Sequence, residues 1–430
     1  MAAVSCISLS PKPTTTRHVK LKFICCFSLD RPINQITSNG VHLPKTVHSA
    51  DGNLRIVFAA GGTGCQIYPA IAIADDIKTL KPDARILFIG TESSMESAAV
   101  PSAGYDFTTI TATPLRRPHL SLENLILPFH VIKSVVNSWK KLRDFDPQIV
   151  VGTGGYVSFG VCLAAAMKGL KLVIQEQNSV PGIANWVLSV LADLVFVAYN
   201  SSVDCFPINK KKCVVCGNPV RLSLRKYVSK GVAMAHFFPR LAKSLDSEVK
   251  VILVLGGSLG AKTVNIAMFN LYHQMLFEHK NWFIIWETGV ESFDEMESLV
   301  RSHSQLLLAP FLHSMDLAYA AADLVVSRAG AMTCSELLAT GKPAILIPSP
   351  NVEEGHQFKN ASLMADLAGS RIITEDELDS TTLGLAIEDI LANGSLMAVM
   401  SERAVKASKP DAGAVIAQHI LSLADLSNAK

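Results

Sequence analysis

Three times in this chain an apolar run of β-forming residues stops at a group of small residues and passes directly into a segment with helical spacing. The first is RIVFAAGGTGCQIYPAIA, Arg55 to Ala72; the second is QIVVGTGGYVSFGVCLAAAMKG, from Gln148; the third is DLVVSRAGAMTCSELLATGKPAILIPSP, from Asp323. A strand that ends in glycine and feeds a helix is the repeating unit of a parallel sheet, whose turns gather along one edge. Free N–H groups and the positive end of a helix at that edge can hold a phosphate, a sugar or the diphosphate of a lipid. A single such turn is as easily a tight connection. Its recurrence is what points to an architecture.

Between Leu54 and Ala198 the pattern predicts strands at Arg55 to Ala59, Arg85 to Ile89, Gln148 to Gly152 and Lys171 to Ile174, with helices at Pro69 to Leu80, Ser94 to Ala103 and Val161 to Met167. CVVCGNPVR, Cys213 to Arg221, closes this half, and Leu222 to Glu248 reads as a linker with one helix. Alternation resumes at Val249 with a strand, a loop Ser258 to Ala261, a helix Thr263 to Leu276 and strands at Trp282 to Trp286 and Gln305 to Pro310; the third junction follows. Two α/β halves joined by a linker place a cleft between two sheets, the usual site of a ligand.

With 39 basic and 37 acidic side chains in 430 residues, no global field selects nucleic acid, so anion binding must be local. The nine cysteines form no spaced framework, which suits a reducing compartment without disulfides, and Cys213 and Cys216 read as a half-buried strand, not a zinc or redox pair. Residues 1–50 differ from the rest, with six Lys or Arg, a single acidic residue and many Ser and Thr; this is the composition of an unstructured organelle transit peptide. A secretory signal is the alternative. Arg116 to Phe145 interleaves Leu125, Ile126, Leu127, Phe129, Ile132 and Trp139 with Arg116, Arg117, Lys133, Lys140 and Lys141, which suits either a lipid interface or a core helix with a solvated basic side.

At the third junction Thr333 falls in the first helical turn, where free N–H groups can hold phosphate oxygens. Glu336, one turn on, can bind the vicinal diol of a ribose or simply stabilise the helix. The strand from Lys171 runs into Gln175, Glu176, Gln177 and Asn178. Polar residues at the end of a buried strand are costly unless they face a cleft or cap the next helix, so Glu176 and Asn178 are site candidates. The GxGxxG pattern fails at Ile67, a P-loop fails at Pro343, and no DxD pair ends a strand, so group transfer without cofactor or metal is expected, with helix dipoles stabilising a departing diphosphate.

Taken in order, GGTG-PAIAIA (Gly61 to Ala74), VVGTGGYVS, QEQNSVPGIANW, GNPVR, GGSLGA, SRAGAMTCSE and HQFKNA (His356 to Ala361) resemble the MurG family, the UDP-GlcNAc transferases of peptidoglycan synthesis, over Leu54 to Ala424. The resemblance implies an α/β GT-B glycosyltransferase: two Rossmann-like domains with parallel sheets and an inter-domain cleft. It implies an acceptor domain over 51–220, a UDP-GlcNAc domain over 221–407 and a C-terminal helix at about 408–426 packing back on the first. It also implies an inverting transfer to a polyprenyl-diphosphate-linked muramyl peptide, in peripheral contact with an anionic membrane surface. Arg221 and Ser258 would meet the donor diphosphate or nucleotide, and Leu312 the uracil. Ala331, Met332 and Thr333 would present the helix amides to the phosphates, Cys334 and Ser335 would also border the substrate, Glu336 would take the ribose, and Gln357 and Asn178 the sugar hydroxyls. Thr63, Gly64 and Cys65 would line the cleft. A transit peptide on such an enzyme implies a plastid, on the inner envelope or stromal membrane face.

The family's first loop typically reads GGTGGH, where this chain has Cys65 and Gln66 as the last two residues. A glutamine amide cannot accept a proton near neutral pH, and the Cβ of Cys65 is strained if the position needs a positive φ. Glu176 is then the expected base, with Gln66 in the place of the family histidine. The alternatives are a galactolipid-type synthase using UDP-galactose and a silent UDP-sugar binder.

Overall fold

The computed structural model describes residues 54–92, 94–113, 126–240, 249–257, 259–350 and 355–428. The transit-peptide reading, Ser258, and Arg116, Arg117 and Leu125 of the basic apolar stretch lie outside them. The first sheet holds β1 (Arg55–Ala59), β2 (Arg85–Gly90), β3 (Asp106–Thr109), β4 (Ile149–Gly152), β5 (Lys171–Glu176), β6 (Leu194–Val197) and β7 (Cys213–Val215), in the order β3-β2-β1-β4-β5-β6-β7. The second holds β8 (Lys250–Leu255), β9 (Trp282–Glu287), β10 (Leu306–Ala309), β11 (Leu324–Ser327), β12 (Ala344–Leu346) and β13 (Arg371–Ile372), in the order β10-β9-β8-β11-β12-β13. Every pairing in both is parallel.

Strands covered by helices on both faces must be apolar, and the central ones, β1, β4, β8 and β11, are almost entirely so. In β1, Ile56 and Phe58 enter one core with Phe88, whose ring stacks on Phe58 at 5.1 Å, while Val57 and Ala59 enter the core on the other face. In β8, Ile252 and Val254 alternate in the same way with Val251, Leu253 and Leu255. Strand order reverses between β1 and β4 in the first sheet and between β8 and β11 in the second. The three glycine junctions follow β1, β4 and β11, so all of them sit at the reversals, where crossovers diverge and leave a crevice.

The helices after the first two junctions start earlier than the sequence predicts, at Gly64 (Gly64–Leu80) and at Gly155 (Gly155–Met167). Pro69, the first residue of the helix read from the sequence, lies inside it, at the loss of the one bond its N–H would make. Gly64 and Gly155 therefore open the first helical turns, while Gly61, Gly62 and Gly154 come before them. Gly155 has φ 83°, and a Cβ there would stand 2.6 Å from the Gly61 carbonyl oxygen. Only glycine lets the two junctions meet backbone to backbone.

The last helix, Ala412–Asn428, packs on Gly64–Leu80 and contributes Ile416, Ala417, Ile420 and Ala424 to a core of the first sheet. Its entry is fixed by Asp76, whose carboxylate receives Arg225 Nη1 at 3.0 Å and Nη2 at 2.8 Å, and against which a Cβ on Gly413 would collide at 2.0 Å. The side chains of Asp76 and Arg225 are 8% and 18% exposed, so removing one partner strands a buried charge. Arg225→Ala is expected to cost about 3–5 kcal/mol of stability, read as a lowered urea midpoint; an unchanged midpoint means the pair is solvated and unimportant.

Candidate active site

The carboxyl ends of the two sheets face each other, and the seam between them is polar. Asn218, in the turn after β7, receives Gln175 Nε2 on its side-chain oxygen (3.0 Å), and donates to the Gln177 carbonyl (2.8 Å) and, across the seam, to Ser335 Oγ (2.9 Å). Asn360, on the helix His356–Ala368, accepts from Ser179 N (3.1 Å) and Ser179 Oγ (3.0 Å) and donates to the Ala329 carbonyl (3.2 Å). Each of these groups is buried, so each bond removes a desolvation cost as well as fixing how the halves meet.

The first junction is held from below by Glu96, which is fully buried and has no precedent among the sequence candidates. It accepts from Gly62 N (3.3 Å), Thr91 N (3.0 Å) and Thr91 Oγ1 (2.8 Å). Above it, Thr63 is exposed and donates its hydroxyl to the Gln66 side-chain oxygen, while the Gln66 carbonyl accepts from Thr153 Oγ1 (2.8 Å), so the first two junctions are joined by side chain as well as backbone. Gly64 and Cys65 lie in the first helical turn. Asp146 is the one non-glycine with positive φ among the described residues, so the strain considered for Cys65 does not arise.

The Cys65 thiol reaches the start of the helix Ala331–Thr340 in the other half. Burial pushes its pKa up; hydrogen bonding with the Met332 and Ala331 backbone pulls it down, and the charges of Glu336 and Glu176 push it up again. A residue of the first junction thus meets the helix start of the third, near enough to feel the charges of both candidate carboxylates. The group stays a neutral thiol, a weak competitor for the amides beside it.

Glu176 ends β5 and is 1% exposed. Its Oε1 accepts from Asn178 N (2.9 Å) and Asn178 Nδ2 (3.0 Å), and its Oε2 from Gly182 N (3.1 Å) and Asn185 Nδ2 (2.8 Å). In this conformation it anchors the loop from Gln177 to Gly182, and taking a proton requires the Asn178 contacts to be exchanged. Asn178 also faces the other half, its Oδ1 lying 3.4 Å from Asn360 Nδ2.

In the second half, Glu336 is 5% exposed, with Tyr319 Oη donating to Oε2 at 3.1 Å and Arg221 Nε 3.5 Å from Oε1. Burial raises its pKa, opposed by Arg221 and the tyrosine. Glu287, at the end of β9, is 5% exposed and raised for the same reason, against the pull of the Leu312 N–H (2.9 Å) and Arg221. One guanidinium therefore serves two buried carboxylates. The Arg221 group lies 4.0 Å from the centre of the Tyr68 ring, and its Nε has no hydrogen-bond partner.

Three sequence candidates have their side chains engaged within the protein. The Cys334 side chain is fully buried in a core of the second sheet, its thiol pushed up to about 12 by burial, so it packs. Ser335 spends its hydroxyl on the Ala331 carbonyl (3.0 Å) and Asn218. The Leu312 side chain is core as well, and its N–H is held by Glu287 (2.9 Å). Gln357 accepts from Ser349 N (2.8 Å), which orients its amide. Ala331 and Met332 are buried and Thr333 is partly exposed at the helix start.

Two family models match the chain: the glycosyltransferase family 28 N-terminal domain over residues 56–197 and the glycosyltransferase family 28 C-terminal domain over 251–416. The UDP-N-acetylglucosamine--N-acetylmuramyl-(pentapeptide) pyrophosphoryl-undecaprenol N-acetylglucosamine transferase of Salinibacter ruber is 41% identical over 86% of this chain and 97% of its own length. The protein of the same name from Flavobacterium psychrophilum is 38% identical over 86% and 98%. The crystal structure of Acinetobacter baumannii MurG superposes with a TM-score of 0.64 at 25% identity, covering 86% of this chain and 99% of that one.

The raised pKa of Glu287 has a testable sign. The folded state keeps this proton to higher pH than the unfolded chain does, so the residue subtracts stability as pH rises past the ordinary value of 4.5, and the loss is complete above the folded pKa. Glu287→Gln cannot ionise and still offers an oxygen to the Leu312 N–H. Its stability relative to wild type is expected to rise between about pH 4 and about pH 7 in urea unfolding; a constant difference refutes the reading.

Proposed function

The chain belongs to the family of UDP-N-acetylglucosamine–N-acetylmuramyl-(pentapeptide) pyrophosphoryl-undecaprenol N-acetylglucosamine transferases, and from that premise we propose that it moves GlcNAc from UDP-GlcNAc to the muramyl sugar of a polyprenyl-diphosphate-linked muramyl peptide. It is a GT-B glycosyltransferase. The observation that carries the site reading is the convergence of the first junction and Glu176 on the start of the helix Ala331–Thr340, with Glu336 buried one turn inside it.

In this reading Glu336 takes the ribose diol of the donor, and the amides of Ala331, Met332 and Thr333 face its diphosphate, displacing the Cys65 thiol. A muramyl hydroxyl attacks the anomeric carbon, the bond from that carbon to the diphosphate oxygen breaks, and the configuration inverts. The helix start stabilises the charge on the departing UDP, and Glu176 takes the hydroxyl proton once its Asn178 contacts are exchanged for substrate. Gln66 shapes the loop through Thr63 and Thr153. Asn178 and Gln357 serve the sugar hydroxyls from opposite sides of the crevice.

The acceptor's lipid requires a membrane surface, and the helix Leu127–Phe145 supports one. It buries Ser134, Ser138 and Leu142 while leaving Phe129, Ile132, Val136 and Trp139 exposed by 69%, 61%, 49% and 37%. Small polar residues inside and aromatic and branched ones outside invert the ordinary amphipathic order. Lys133, Lys140 and Lys141 lie on the same helix, and Lys168 stands over the Trp139 ring at 5.1 Å. This is the composition of a face lying on an anionic bilayer. No single helix among the described residues is long and apolar enough to cross one. The basic, hydroxyl-rich first 50 residues support a plastid address on the stromal side of the inner envelope.

Activity is tested by release of UDP from UDP-GlcNAc with a lipid-linked muramyl acceptor, UDP-galactose serving as competitor. Glu176→Gln is expected to lower kcat by at least about 100-fold with donor binding retained; loss of donor binding too would reduce Glu176 to a loop anchor. Phe129→Glu with Ile132→Glu is expected to abolish flotation with anionic liposomes of a protein lacking its first 50 residues, while hydrolysis-independent UDP-GlcNAc binding persists. Flotation unchanged by the pair refutes the membrane face.

A further inference from the structure

Among the described residues Arg221 is the one guanidinium set against both buried carboxylates of the donor side, and an aromatic ring of the opposite half lies against it. Its Cζ lies 4.0 Å from the centre of the Tyr68 ring. Its Nε is 3.5 Å from Glu336 Oε1, is buried, and has no hydrogen bond. An arginine with a fork bonded on several sides is placed by its own bonds. Here the pairing distance is too long for that, so the flat face against the aromatic ring determines where the group can go.

Tyr68 occupies the second turn of the helix Gly64–Leu80, directly behind the first junction. A Cβ built on Gly64 would meet Tyr68 Cε2 at 3.2 Å, so the ring is packed against the turn that carries Cys65 and Gln66. Any movement of that turn moves the ring, and the ring carries the guanidinium. On the far side, the charge of Arg221 is felt by Glu336, by Glu287 and by the hydroxyl of Tyr319, which itself donates to Glu336.

We propose that Tyr68 is a positioning residue for the donor: by stacking on Arg221 it sets the guanidinium that orients Glu336, so that the acceptor-side helix completes the UDP-sugar site. The inference rests on the assignment of Glu336 to the donor ribose. It makes donor affinity a property of both halves, and it makes the first junction a route by which the acceptor side reports to the donor side. An aromatic face, and not the phenol hydroxyl, is the part required.

The experiment compares wild type, Tyr68→Phe, Tyr68→Leu, Arg221→Ala, the Tyr68→Leu/Arg221→Ala double variant and Glu336→Gln, with separate KM values for UDP-GlcNAc and for the lipid-linked acceptor and with UDP binding measured directly. Tyr68→Leu is expected to raise the donor KM about tenfold and weaken UDP binding in parallel, with the acceptor KM within about twofold of wild type. Tyr68→Phe is expected to restore most of the donor affinity. The double variant should bind donor no worse than Arg221→Ala alone, because the ring acts only through the guanidinium. Equal rises in both KM values, or full additivity in the double variant, overturn the proposal. If Glu336→Gln leaves the donor KM unchanged while Tyr68 and Arg221 remain coupled, the ribose assignment has failed and the stacking has not.

Discussion

Parallel strands all end on the same edge, and two such edges meeting across a seam is the constraint on which the rest of this molecule depends. Each strand delivers its last residue, and the amides of the helix that follows, to one line. The order reversals in the two sheets then decide which loops border the crevice. The three junctions after β1, β4 and β11 lie at these points, which is why residues nearly 270 positions apart, from Cys65 to Met332, come into contact. The site is built from the ends of elements, and the elements themselves are ordinary apolar core.

The seam also sets the electrostatics. Glu336, Glu287 and Glu176 are all nearly inaccessible carboxylates, and the structure stabilises them in two different ways. Glu176 is solvated by four N–H donors from its own loop, a closed arrangement that leaves little for a ligand to add. Glu336 and Glu287 are served by one tyrosine, one backbone amide and a shared arginine, and their pKa values remain raised. Under-solvated carboxylates are the ones that gain most from hydroxyls brought by a substrate. The contrast separates a carboxylate that must first exchange its contacts from two that remain open to a hydroxyl as they stand.

Much of this was legible in the residues. β1 and the third junction follow from apolar runs bounded by glycine, and the order of seven short motifs pointed to the family that the relatives then showed. The helix starts were misplaced because Pro69 and the glycines of the second junction carry strong local meanings that packing between Gly61 and Gly155 overrides. Glu287 carried the same signal as Glu176, a charge closing a buried strand, and could have been read by the same rule. Tyr319 and Tyr68 could not, since each acts on a partner far away in sequence and resembles a routine helix residue locally, and the motif that holds Asn360 does not tell which half it would bond. Cys334 and Ser335 show the reverse: inside a motif, a residue that packs looks the same as one that binds.

The helix Ala412–Asn428 closes the core of the sheet that begins at β1. During synthesis, the first α/β half leaves the ribosome with a greasy groove along Gly64–Leu80, and that groove stays open until the whole second half has been made. The nascent chain must therefore protect an incomplete domain for most of its translation, and the part that is born first is the last to be sealed.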